Sequence, residues 1–331
     1  MKLLIALVLA LAGFAAAMLV TPYQGFKTET YADIPHGTST SGIAKELARD
    51  GVIRYEWELW LARLLNPSAK LQAGEYRFAR AASTLDVFNR IARGDIYFFP
   101  FTVPEGSNIF DIARSLEEQG VMSSEDFLKA AEDPAPIRDL APKAKTLEGY
   151  LFPSTYRLSH KTTAVQLTKM MTDEFRKEWA KVSADKEADV RSIVTLASLV
   201  EKETAAADER PLVASVFRNR LAQGMLLQCD PTTIYASLLD HRYSGTIHKS
   251  DLASANPYNT YENVGLPPGP IANPGVQSLE AALKPADTSF LYFVAKPQGG
   301  GHQFSATMAQ HEKAVIAYRQ ALKHEGQRKV R

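Results

Sequence analysis

One cysteine, Cys229, in 331 residues leaves no internal disulfide and no multi-cysteine metal site to be built. An excess of charge of either sign is missing too. The chain carries 38 Lys and Arg against 37 Asp and Glu, a formal net charge of +1. With no basic excess to displace phosphate counterions, the composition argues against nucleic acid as a partner. The seven histidines show no His-Glu-x-x-His spacing. No Lys-Ser/Thr follows Gln298-Gly-Gly-Gly301, which therefore reads as a hairpin turn rather than a phosphate cradle. Ser183-Ala-Asp-Lys186 fits a four-residue acyl-enzyme pattern, but no Lys-Thr-Gly follows, and the match is one of chance. No metal ion and no cofactor is expected. Disordered, collagen-like and low-complexity classes fail on a composition that is 45% hydrophobic and 23% charged.

Long apolar runs are absent as well, with one exception at the start. From Leu3 to Val20 (LLIALVLALAGFAAAMLV) no side chain is charged or hydrogen-bonding. As a helix, at about 1.5 Å per residue, this run reaches ~27 Å, enough for a bilayer core. Lys2 and the amino terminus precede it and favour a cytoplasmic N-terminus. Ala15-Ala16-Ala17 has the small residues of a signal-peptide cleavage site, but the run continues through Met18, Leu19 and Val20. An uncleaved single-pass anchor is expected, with the rest of the chain exported. A single cysteine then fits a bacterial periplasm or outer cell surface better than a disulfide-dense secreted module.

The exported part contains a repeat. Ile34-Pro-His-Gly through Gly51-Val-Ile53 aligns without a gap on Val103-Pro-Glu-Gly through Gly120-Val-Met122. Each copy reads as a strand end, a Pro/Gly turn and a short helix, with Ser or Asn at the N-cap and Gly51 or Gly120 at the C-cap. A fainter match pairs Glu75–Phe78 before a helix over 83–92 with Thr155–Leu158 before a helix over 163–171. Together these predict two small α+β units, whose strand–turn–helix signature resembles a LysM-type glycan-binding module. A packing repeat with no ligand of its own fits the same pattern.

After Phe175 the pattern changes to helices over 188–204, 208–222 and 230–239, then a Pro/Gly/Asn-rich loop over 243–276. A hairpin around Leu291–Ala295 and Gln303–Ser305 and a closing helix over 307–322 complete the chain. On a wheel of about 100° per residue centred on Ala197, Glu201 falls at about 40°, between Val190 and Val194 and inside the apolar stripe. A carboxyl there is costly to ionise, which suits a general acid that must carry its proton near neutral pH. The alternative is a helix-end glutamate paired with an arginine such as Arg218 or Arg220. Glu203 leaves the stripe and reads as solvated or as a capping partner. Glu148, between residues that favour a turn, is a second candidate carboxyl with a structural role favoured. No nucleophile partner is evident beside Glu201.

Leu196-Ala-Ser-Leu-Val-Glu-Lys-Glu-Thr204, Val213-Ala-Ser-Val-Phe-Arg-Asn-Arg-Leu221 and Leu227-Gln-Cys-Asp-Pro-Thr-Thr-Ile-Tyr235 resemble the endolytic murein transglycosylase (YceG-like) family. So do Leu147-Glu-Gly-Tyr-Leu-Phe-Pro153, Tyr258-Asn-Thr-Tyr261, Gly265-Leu-Pro-Pro-Gly-Pro-Ile271 with Asn273-Pro-Gly275, and Gly300-Gly-His-Gln-Phe-Ser305. Cys229 stands where a small polar residue such as Thr is expected. The resemblance covers nearly the whole chain. It implies a single-pass inner-membrane lyase, periplasmic beyond its anchor, that cuts nascent peptidoglycan strands internally between N-acetylmuramic acid and N-acetylglucosamine. It also implies that Glu201 is the catalytic acid, that 1,6-anhydro ends are formed, and that strand elongation stops beside cell-wall synthases of the penicillin-binding class. Sugar contacts are expected from Gln228, Asp230, Thr232, Tyr235, Tyr258, Asn259, Tyr261 and Asn273, each of which also fits a turn or cap; Asp230, before Pro231, reads as an N-cap. A hydrolase using Glu201 with an activated water, and a glycan-binding scaffold without catalysis, remain as alternatives. The expected class is α+β: an anchor over 1–24, LysM-like units over 25–97 and 98–175, and a mainly helical catalytic domain over 176–331.

Overall fold

The computed structural model describes residues 1–183, 189–296 and 300–329, with side chains as far as Leu322. Most of the Ser183–Lys186 pattern, the expected helix start at Ala188 and part of the Gln298–Gly301 turn lie outside the described residues. The class is mixed α+β and mostly helical. By contacts the chain forms two compact units, one of Met1–Pro100 with Arg157–Ser159, the other of Phe101–Tyr156 with His160–Arg331. The second repeat copy thus lies for the most part in one unit with the helices that follow it.

The first unit opens with α1 (Lys2–Val20), a helix long and apolar enough to cross a membrane. Strand β1 (Thr30–Ile34) pairs antiparallel with β2 (Gly74–Phe78), Thr30 opposite Phe78 and Ile34 opposite Gly74. Between them run α2 (Thr40–Arg49) and α3 (Glu56–Leu65), and α4 (Thr84–Arg93) follows. The caps match the residues that mark them. Ser39 Oγ accepts the Gly42 amide, Ser83 Oγ accepts the Asp86 amide, and Gly94 closes α4 in a left-handed conformation. Ala32, Leu47, Leu59, Tyr76, Phe88 and Ile91 fill the core, and Leu19 of α1 joins them.

The second copy repeats the order. Strand β3 (Phe99–Thr102) pairs with β4 (Thr155–Leu158), and α5 (Ile109–Glu118) and α6 (Ser124–Ala131) lie between them in sequence. Asn108 and Asp111 cap α5 reciprocally. Then come α7 (Ala164–Val182), α8 (Val190–Glu203), α9 (Arg210–Ala222) and α10 (Asp230–Leu239). Helix α8 packs against α9, α10 and α12 (Val276–Leu283). The long loop carries one short helix, α11 (Lys249–Leu252), closed by the Asp251 carboxylate on the His248 amide at 2.8 Å. Strands β5 (Tyr292–Ala295) and β6 (His302–Ser305) form the expected hairpin, and α13 (Met308–Lys329) ends the chain. The N-cap of α10 is Cys229 rather than Asp230, which lies one residue inside the helix and turns its carboxylate to the Tyr261 hydroxyl.

Candidate functional site

Glu201 stands in the last turn of α8, its side chain only 6% exposed. Its Oε2 accepts the Gly275 amide at 2.9 Å. Its Oε1 lies 3.4 Å from Nη2 of Arg210, another buried side chain. The arginine partner is therefore Arg210, not Arg218 or Arg220. Arg210 opens α9 immediately after the turn that leaves α8, whereas Arg218 and Arg220 sit two turns on and bond the Ala286 carbonyl and the Leu226, Leu227 and Leu291 carbonyls. Arg210 is held from a second side: Nη1 donates to Gln277 Oε1 at 2.6 Å and Nε to Ser278 Oγ at 3.1 Å, both in the first turn of α12.

A second carboxyl sits beside Glu201, and it comes from the repeat. Glu105 lies over Gly275, so closely that a Cβ on that glycine would meet its carboxylate. Burial first, and then the charge of Glu201, push the Glu105 carboxyl above its ordinary range, with Arg210 opposing. The turn that carries it is stitched in place. Gly106, at φ +74°, donates to the Asn273 carbonyl at 2.9 Å, the Asn273 amide returns to the Ser107 carbonyl at 2.9 Å, and Lys202 Nζ donates to the Gly106 carbonyl at 3.1 Å. The sequence shows no nucleophile partner beside Glu201, and the structure brings the Glu105 carboxyl next to it. The one sequence signal was the alignment of the two copies, where His36 occupies the position of Glu105.

Glu148 is fully buried and structural in its contacts. It accepts the Ile109 amide at 3.0 Å, at the start of α5, and Asn273 Nδ2 at 3.1 Å, while Asn273 Oδ1 accepts the Leu151 amide. Burial pushes its carboxyl up to about 8, and the donors, including the Tyr235 hydroxyl, pull only partway back.

On the far side of α8's last turn, a polar cavity of about 300 Å³ is lined by Glu203, Arg220, Gln228, Asp230, Tyr261 and His311 among others. Glu203 is half-buried and faces this cavity. Its Oε1 accepts the Cys229 thiol at 3.1 Å, and burial pushes its carboxyl above the ordinary range. Burial likewise pushes the Cys229 thiol up, so the one cysteine is a buried donor. Of the residues expected to contact sugar, Gln228, Asp230 and Tyr261 meet in this cavity. Thr232, Tyr235, Asn259 and Asn273 are buried. Thr232 bonds Thr260, and Asn259 collects the carbonyls of the α11 turn. The half-buried Tyr258 ring lies 5.1 Å from that of Tyr235. Among the described residues no group of three His, Cys, Asp or Glu side chains could hold a metal ion.

The site therefore offers two things. One is a carboxyl pair, Glu105 over Gly275 and Glu201 held by Arg210 and the Gly275 amide. The other is a protonation-prone Glu203 in an adjacent polar cavity. Both can carry proton transfer to and from a hydroxyl or ether oxygen.

Comparison with known proteins agrees with the motifs. Residues 32–317 match the YceG-like family. The chain is 32% identical over 324 residues to the endolytic murein transglycosylase of Bacillus subtilis, an alignment covering 92% of this chain and 89% of that protein. It is 29% identical over 316 residues to the endolytic murein transglycosylase of Streptococcus pneumoniae strain D39, covering 86% of this chain and 57% of that longer protein. A protein from Listeria monocytogenes described as YceG-like, solved at 2.6 Å, matches with a TM-score of 0.56 at 32% identity, over 87% of this chain and 99% of that one.

Proposed function

The chain belongs to the YceG-like family, and on that footing we propose that it is a peptidoglycan lytic transglycosylase, an enzyme of the lyase class. It cuts nascent glycan strands internally between N-acetylmuramic acid and N-acetylglucosamine, leaves 1,6-anhydro ends and so terminates elongation beside a cell-wall synthase of the penicillin-binding class. Helix α1 anchors it once through the bacterial inner membrane, with Lys2 cytoplasmic and the remainder periplasmic. The β-α-α-β order of both repeat copies supports reading 25–97 and 98–175 as LysM-like units ahead of a catalytic part over 176–331.

The observation that carries this reading is Glu201, buried at the end of α8 within the stretch that matches the named relatives. Glu201 gives its proton to the glycosidic oxygen as positive charge develops at C1. The Gly275 amide and Arg210 then hold the carboxylate. It takes the proton of the muramic acid C6 hydroxyl, which closes on C1. The C1–O bond to the leaving sugar breaks, a new C1–O6 bond forms, and no water is consumed. Gln228, Asp230 and Tyr261, with Thr232, Tyr235, Tyr258, Asn259 and Asn273 behind and around them, position the strand.

A second reading of the acid rests on Glu203, which shares its cavity with those three side chains and whose carboxyl burial pushes up. Glu201→Gln and Glu203→Gln in the full chain, given glycan strands and read by product mass, decide between them. Loss of cleavage in E201Q alone is expected. Cleavage that survives E201Q and vanishes in E203Q would move the acid to Glu203. Products that carry an added water would replace the lyase with a hydrolase.

A further inference from the structure

Helix α3 is apolar on both of its sides. Leu59 and Ala62 enter the core of the first unit, and Glu58, buried beside them, accepts the Thr84 hydroxyl. The outward stripe carries no charge. Trp57, Trp60, Leu64 and Leu65 share one exposed face at helical spacing, with Trp60 49% and Leu64 73% exposed, while Leu61 packs against the core. Tyr55, just before the helix, stacks on Trp57 with ring centroids 6.3 Å apart. An exposed stripe of two tryptophans, a tyrosine and leucines is unusual on a soluble surface and marks contact with something apolar.

Its place in the unit says what that is. Helix α3 touches α1, and Leu19, in the last turn of α1, is buried in the same core as Leu59. Arg54, one residue before Tyr55, places Nη1 3.2 Å from Sδ of Met18 and stacks its guanidinium 4.7 Å from the centre of the Tyr23 ring. If α1 spans a bilayer, Met18 to Val20 reach the outer edge of the hydrocarbon. Arg54 then sits among the headgroups, and the start of α3 lies at the same depth. Trp and Tyr gather at that depth because an amphipathic ring satisfies the apolar and wet sides at once. Laid in the plane of the interface, this helix of ten residues, ~15 Å long, would keep all of its exposed face at that depth.

We propose that the Tyr55–Trp57–Trp60–Leu64 face of α3 docks into the headgroup layer of the membrane crossed by α1, so that the first unit lies against the lipid surface. This rests on the membrane-anchor reading of α1, and the test separates the two. The full chain is reconstituted in phosphatidylethanolamine–phosphatidylglycerol vesicles with spin labels at the headgroup or deep in the acyl chains. Flotation reads the anchor, and tryptophan emission reads α3. The third tryptophan, buried Trp179, is subtracted with a Trp57→Phe/Trp60→Phe variant. The expected result is a chain that floats, with stronger quenching by the headgroup label than by the deep one, and loss of that quenching in the double variant. A chain that floats without such quenching leaves the anchor standing and overturns the docking face. Emission shielded from both lipid labels and aqueous iodide would show that protein covers the face, which also overturns it. A chain that fails to float removes the anchor and the proposal with it.

Discussion

Three donors converge on Glu148, from the Ile109 amide, Asn273 Nδ2 and the Tyr235 hydroxyl, yet burial still pushes its carboxyl up to about 8. The folded chain therefore binds more protons than the unfolded chain between about 4.5, the ordinary glutamate value, and about 8. Stability contributed by this group is complete below that window and declines as pH rises through it, by at most about 1.4 kcal/mol per pH unit. Glu148→Gln removes the titration. Its amide can accept from one donor but turns an NH₂ toward another, a loss of about 1–3 kcal/mol. Denaturant unfolding at a series of pH values is expected to show the variant less stable near pH 5, with the gap narrowing toward pH 8. A gap independent of pH would remove Glu148 as the titrating group. Glu201, buried as well, is met instead by the Arg210 guanidinium and the Gly275 amide.

At the scale of elements, the end of α8, the first turn of α12 and the Pro104–Ser107 turn form one piece. Gly275 is its narrowest point, because its amide serves Glu201 while its missing side chain leaves room for Glu105. Its φ of −78° is open to any residue. Gly275→Ala is therefore expected to cost little stability and to move only the flexible end of Glu105 aside. Released toward water, the Glu105 carboxyl falls back to its ordinary range, seen as a downward shift in a glutamate-selective ¹³C titration. An unchanged titration would show that crowding over Gly275 does not hold it. Much of this piece is legible in the sequence. Helices α8 to α10 announce themselves by apolar period, by Pro211 and Pro231 in first turns and by Gly224 past an end, and Glu201 stands out because a carboxyl interrupts a stripe. Helix α3 does not, because apolar residues on both sides leave no period to read. Helix α12 hides for another reason: eight residues after a Pro/Gly-rich loop look like its continuation. Glu105 is invisible to spacing, since only the folded turn brings it to α8.

The whole molecule raises the question of whether α1 is a tether or a member of the fold. By sequence alone Leu3 to Val20 is one uniform apolar run, and nothing in it distinguishes a residue facing lipid from one facing protein. The structure does. Leu11 is 59% exposed, whereas Leu19 is 3% exposed and packs in the core with Leu59 and Val87. Truncating Leu19 to alanine therefore removes core volume and is expected to destabilise the first unit by about 2–5 kcal/mol. Leu11→Ala, on the exposed face of α1, leaves that core intact. Hydrogen exchange of the full chain in detergent checks this directly. The amides of β2 and α4, which cover the core, are expected to exchange faster in Leu19→Ala and at the original rate in Leu11→Ala. Equal protection in both variants would mean that α1 merely tethers the chain. Faster exchange in the first variant alone would mean that the last turn of α1 is the first element of the folded body, so that α3 is held against α1 by the same contact.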